Sequence, residues 1–177
     1  VFSTLKHFAA YGASEGGLNG EACNIGMRTL FGEYIPQFIR AIKAGAGSVM
    51  TSYNSIDGIP CTCNKYLLTD VLRKQWGFEG VVYSDLVSIE GLANNHHVAN
   101  DYSEAATLAL SAGVDIDLQG DAFGNHIEKK IEQGKLSIKE LDRAVANVLR
   151  LKFKMGLFEN PYVNPDTAAQ RVHCEQH

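Results

Sequence analysis

Apolar residues in this chain change their spacing several times, and each change marks an element. From Arg28 onward, Phe31, Ile35, Phe38, Ile39 and Ile42 recur at the interval of one helix face. Pro36 falls inside that run and has no N–H to donate, so a kink or break is predicted there. Gly45-Ala46-Gly47 ends the helix, and Ser48-Val49-Met50-Thr51-Ser52-Tyr53 reads as a strand. A second helical run carries Leu67, Leu68, Val71, Leu72 and Gln75 behind Asn64, whose side-chain oxygen suits an N-cap. Gly77 and Gly80 then mark a turn into Val81-Val82-Tyr83-Ser84-Asp85, a β-branched and aromatic run that ends on a carboxylate.

The flanks follow the same logic. Ser3-Thr4-Leu5-Lys6-His7-Phe8 opens as a short strand that turns polar at Lys6-His7, and Gly12 through Gly20 reads as an irregular loop. A polar loop with Asn54, Asp57, Gly58 and Pro60 follows Tyr53; residues 86–101 form another, with His96 and His97. Ser103 to Ala112 is an Ala- and Leu-rich helix closed by Gly113, after which Val114, Ile116 and Leu118 alternate with Asp115 and Asp117 as in a strand. A short helix around Ile127 and Ile131 ends near Gly134. Ser137 and Glu140 have capping-box spacing before a helix that runs through Leu141, Ala144, Val145, Val148, Leu149 and Phe153 to Gly156. Beyond Tyr162 the periodicity is lost, and the tail reads as a linker.

The order is β-α-β-α-β-α-β-α-α, an alternation that calls for an α/β fold of parallel strands with covering helices. An open doubly wound sheet fits, and so does half of a (β/α)8 TIM-like barrel. A complete barrel takes about 250 residues, so 177 residues would supply its C-terminal half. Isolated, such a half exposes strand edges that invite association.

Composition narrows the function. With 45% hydrophobic residues and a net charge of −4, the chain is of ordinary globular type and has no basic block for nucleic-acid phosphates. No apolar run approaches the roughly 20 residues of a membrane span. Cys23, Cys61, Cys63 and Cys174 lack zinc spacing, while disulfides stay open. His96-His97 and the His173-Cys174…His177 tail could ligate metal, but a solvated loop and a frayed end account for them more simply, so no metal or cofactor is expected. The chain starts at Val1, without a signal-peptide pattern, and is read as a truncation. An open-sheet nucleotide site would need a phosphate-binding Gly-rich loop directly after a strand, and the loop after Phe8 has no Gly-Lys-Ser/Thr.

Polar groups stand at the ends of successive strands: Lys6-His7 on the first, Tyr53 on the second, Asp85 on the third. A barrel would gather all of them on one rim. Each also has a plain structural reading, as a snorkelling Lys, a bonded core His, a strand-end aromatic and a turn-capping Asp.

The segments Lys6–Gly12, Arg28-Thr29-Leu30, Met50–Asn54 and Gly77–Asp85 resemble, in order and spacing, glycoside hydrolase family 3. Ala112–Asp115 and Met155–Phe158 fit as well. The likeness runs to about residue 162 and is greatest to the bacterial periplasmic β-glucosidase subgroup. It implies a retaining exo-acting β-glycosidase, with Asp85 as nucleophile, Lys6 and His7 as donors to the sugar hydroxyls, Tyr53 beside the nucleophile and Met50 walling the subsite. It implies residues 1–160 as the second half of the barrel domain, residues 161–177 as the start of an interdomain linker, and a periplasmic or secreted location. Two departures stand out. Leu86 replaces the Trp that often follows the nucleophile, and the acid/base Glu of the family usually lies in a following domain, so this chain alone is expected to be inactive. The loop from Tyr11 to Cys23 has no histidine, which excludes the single-domain N-acetylglucosaminidase subgroup. The alternatives are β-xylosidase activity on the same scaffold and a noncatalytic sugar-binding relic.

Overall fold

A computed structural model describes residues 2–172; His173, Cys174 and His177 lie outside the described residues. Among the described residues, five strands occur in chain order: β1 (Thr4–Phe8), β2 (Ser48–Thr51), β3 (Ser55–Ile56), β4 (Ile59–Pro60) and β5 (Val81–Tyr83). The main sheet has the order β1-β2-β5 and is parallel throughout. Val49 and Val82 are in register and both 0% exposed, and with Leu5 they face the helical layer. Burial of such side chains contributes about 1.5–3 kcal/mol each. Strand alternation sends Ser48, Met50, Val81 and Tyr83 to the opposite face.

β1 is less regular than its pattern suggests. Leu5 pairs with Val49 and Phe8 with Thr51, so Lys6 and His7 both stand opposite Met50. This extra residue is a β-bulge, which turns side chains away from their regular direction. Lys6-His7 therefore lies within the strand, and Phe8 ends it.

The expected strand over Val114–Leu118 is reduced to a single parallel bridge between Tyr83 and Ile116. A side chain takes the place of a backbone partner: Val82 N–H donates to Asp115 Oδ2 at 2.9 Å, while Val82 O accepts from both Asp115 and Ile116 N–H. The segment nonetheless runs beside β5, held by Ser84 N–H to Ile116 O and by Leu118 N–H to Ser84 Oγ. The second strand is also shorter than expected and stops at Thr51, two residues before Tyr53.

Helices cover the face opposite Met50 and Tyr83. α1 (Gly26–Thr29) widens into a looser turn at Leu30–Tyr34, and α2 (Pro36–Lys43) begins at the proline, where the break was predicted. Asn64 Oδ1 accepts Leu67 N–H at 3.1 Å, capping the wide-turned helix Tyr66–Gln75. After α3 (Gly91–Asn94), Asp101 caps α4 (Tyr102–Ala112) and Gly113 ends it with φ 125°. α5 (Ala122–Glu132) follows, then α6 (Ile138–Lys154), where only half of the capping box forms. Ser137 Oγ accepts Lys139 N–H, while Glu140 pairs with Arg143 instead. In the tail expected to be a linker, α7 (Pro165–Val172) is a short, largely exposed helix. These layers make up part of a (β/α)8 barrel.

Two features fix how β5 sits. Asp115, with its side chain 0% exposed, receives Arg73 at 2.6 Å and Val82 N–H on Oδ2, and Arg143 and Asn147, each at 3.0 Å, on Oδ1. At the start of the strand, a Cβ on Gly80 would lie 2.2 Å from Gly47 O and 2.5 Å from the Phe78 ring. That carbonyl accepts Val81 N–H, so β5 reaches β2 only because residue 80 has no side chain. Cys23 and Cys61 are buried and, with the half-buried Cys63, are free thiols; burial pushes Cys61 up to about 12 and Cys63 up to about 11.

Candidate active site

Asp85 follows β5 in phase with Val81 and Tyr83, so its side chain returns to the face away from the helices. The residue is only 5% exposed. Oδ1 accepts the N–H of Leu86 at 2.7 Å. Oδ2 lies 3.1 Å from His7 Nε2 but accepts no aligned hydrogen bond among the described residues. One carboxylate oxygen is thus held by the backbone, and the other is left with a free acceptor position.

The bulge in β1 brings His7 to this carboxylate. Burial lowers the His7 imidazole from its ordinary value more than the Asp85 charge raises it, and Lys6 lowers it further. His7 is therefore neutral at pH 7. Its ring stacks at a tilt on Tyr11, with centroids 4.5 Å apart, and Tyr11 in turn approaches Tyr53 at 6.5 Å. The Tyr53 hydroxyl donates to Leu86 O at 2.8 Å, tying the end of β2 to the residue after Asp85. Burial and the nearby Asp85 carboxylate push the Tyr53 phenol up to about 12, so it remains a donor at any physiological pH. His96 Nε2 lies 2.8 Å from Tyr53 O and, facing a carbonyl, must carry the proton there.

The sequence-derived site residues thus separate. His7, Tyr53 and Asp85 come together. Met50, 9% exposed, pairs in register with Tyr83 beneath them. Lys6 is exposed at the rim and enters no ion pair among the described residues, so its influence reaches the site through His7.

Sequence reasoning passed over the residues that hold the strand ends in place. Asn54, 0% exposed, donates to Ala9 O at 3.3 Å and to Ser55 O at 3.2 Å, and accepts a short bond from Ser52. A buried hydroxyl relay runs from Thr51 through Thr62 to Ser88. Only the full burial of such polar groups identifies them, and their composition reads as ordinary loop. Beyond Tyr53 and Leu86, a polar cleft of about 1140 Å³ opens between the loops at 19–22, 86–96 and 119–126. Amide and carboxylate side chains with Tyr102 make up much of its lining, a surface suited to hydroxyl-rich ligands.

The model for the glycosyl hydrolase family 3 N-terminal domain matches residues 1–151. The chain belongs to glycosyl hydrolase family 3. It is 41% identical over 162 residues to a periplasmic β-glucosidase of Salmonella typhimurium, covering 92% of this chain and 21% of that protein. A β-xylosidase of Formosa agariphila is 35% identical, covering 100% of this chain and 26% of the other. Among solved structures, a β-glucosidase from Listeria innocua superposes with a TM-score of 0.94 at 40% identity, over 99% of this chain and 24% of that one. The Listeria enzyme has also been crystallised with glucose and, as a mutant, with laminaribiose. The chain therefore spans about a quarter of the length of these family 3 relatives.

Proposed function

We propose that this chain is the nucleophile-bearing part of a retaining, exo-acting β-glucosidase. The observation that carries the reading is Asp85, a buried carboxylate at the end of β5 with the His7 imidazole 3.1 Å from one oxygen, which accepts no aligned hydrogen bond among the described residues. That oxygen attacks the anomeric carbon of the nonreducing-end sugar. The bond to the leaving oxygen breaks as a second carboxyl, from a part of the whole protein outside these residues, protonates it. Water activated by the same group then attacks the glycosyl ester and releases Asp85. His7 and Lys6 donate to sugar hydroxyls, Tyr53 holds the backbone after Asp85, and Met50 walls the subsite. Donors that tighten as the ring distorts lower the barrier more than donors that bind only the ground state.

Residues 1–160 would be the second half of the barrel domain and residues 161–177 the start of a linker. A periplasmic or secreted location follows the Salmonella relative's name. Likeness to the Formosa β-xylosidase favours xylosides as the second reading, and kcat/KM on aryl glucoside against aryl xyloside separates the two. A 2-fluoro glycoside inactivator applied to the full-length protein is expected to esterify Asp85, read by peptide mass spectrometry. Labelling of another residue would remove the assignment.

A further inference from the structure

At the floor of the polar cleft, two carboxylates converge on Gly120. A Cβ placed there would lie 2.4 Å from Asp117 Oδ1 and 2.6 and 2.8 Å from the two oxygens of Glu90. Each carboxylate gives one oxygen to the backbone: Glu90 Oε1 accepts Asp121 N–H at 2.9 Å, and Asp117 Oδ2 accepts Phe123 N–H at 3.1 Å. The remaining oxygens, Glu90 Oε2 and Asp117 Oδ1, are buried and accept no hydrogen bond among the described residues. Neither side chain enters an ion pair among the described residues.

Two carboxylates whose unbonded oxygens are buried at one place cannot both stay ionised without a large cost, so one of them must be neutralised. A calcium ion needs six to eight oxygens at about 2.3–2.6 Å, and magnesium keeps several waters. Both bare oxygens are sealed from a water-sized sphere, which leaves no room for such a shell. A proton needs none.

We propose that Asp117 holds a proton against Glu90 and that the two side chains form a clasp that positions the cleft wall. The proton on Asp117 Oδ1 faces the space where Glu90 Oε2 converges on Gly120, while the outer oxygens pin the turn at 120–123 and the start of α5. Asp121, Asn125 and His126 of the cleft lining lie on this stretch. Asp121 is the charged neighbour on the turn itself, and Glu21, Tyr53, His96, Tyr102 and His126 are the other titratable groups around the cleft. Burial, with the charges of Glu90 and Asp121, pushes the Asp117 carboxyl above its ordinary value. A raised carboxyl stabilises the fold fully below its unfolded value, and that stability is lost as pH rises through the folded value. Glu90 and Asp117 are positioning residues, and their role does not depend on that of Asp85.

The test is the melting temperature of the full-length protein across the acidic-to-neutral range, for wild type, D117N and E90Q. Either amide supplies a permanent donor in place of the proton. Both variants should lose the downward step that the wild type shows with rising pH, and melt above it at the high-pH end. Curves parallel to the wild type would overturn the clasp. A wild-type melting temperature raised by calcium or magnesium, but unchanged in E90Q, would assign the site to a cation and also overturn it. As a second readout, infrared difference spectra of wild type against D117N should show a protonated-carboxyl stretch at a pH where exposed carboxyls are ionised; its absence counts against the proton on Asp117.

Discussion

Asp85 and Asp115 are both buried carboxylates at β5, and they are built for opposite ends. Every acceptor oxygen of Asp115 is occupied, by two guanidinium groups, an amide and a backbone N–H. Asp85 has one oxygen on its neighbour's N–H, while the other lies 3.1 Å from His7 Nε2 and accepts no aligned hydrogen bond among the described residues. Burial alone therefore does not distinguish a structural acid from the proposed nucleophile. Saturation does, because a carboxylate whose lone pairs are all engaged cannot attack without giving up bonds that hold the fold.

Crossed substitutions in the full-length protein give the largest expected separation. Asp85→Ala should lower kcat by at least about a thousandfold while leaving the melting temperature near that of wild type. Asp115→Ala should cost roughly 3–5 kcal/mol in urea unfolding, because Arg73 and Arg143 are left facing an empty site. If the variants exchanged these phenotypes, the distinction between open and saturated carboxylates would collapse.

A smaller effect belongs to His7. Its folded value lies below the ordinary 6.5, chiefly through burial. Stability linked to it is present above 6.5 and is lost as pH falls through the folded value, because the unfolded chain takes up the proton first. Melting between about pH 7 and about pH 5 should therefore slope downward with acid in the wild type and less so in His7→Gln. Equal slopes would place His7 outside the buried network. The smallest change is expected for Tyr53→Phe. Loss of the hydroxyl bond to Leu86 O is worth about 0.5–1.5 kcal/mol, read as a decrease in kcat/KM of roughly two- to tenfold with the fold intact.

Local rules made much of the helical layer legible in advance. The Pro36 break, the Asn64 cap and the Gly113 stop depend on the chemistry of one residue and its near neighbours, and each occurs where expected. What local rules miss is competition from distant groups. The alternation from Val114 to Leu118 has the period of a strand, yet the Asp115 side chain takes the Val82 N–H that a backbone carbonyl would have used. The β3–β4 hairpin is too short to show any period, and its sequence reads as polar loop. The Lys6-His7 bulge is invisible in a five-residue run, because an extra residue is defined only by the partner strand. That bulge brings His7 to Asp85, so the strand-end positions pointed to one rim but not to the local geometry by which the two meet.

Gly80 touches neither Asp85 nor His7, yet the spacing between them depends on it. Any side chain there would strike Gly47 O and the Phe78 ring, pushing β5 off β2 and taking Asp85 with it. In a saturation screen scored by survival or colour, Gly80 would rank among the active-site residues, as intolerant to Ala as Asp85 is to Asn. A map of mutational tolerance would thus merge two kinds of position, the proposed nucleophile and a glycine whose missing methyl group keeps β5 against β2.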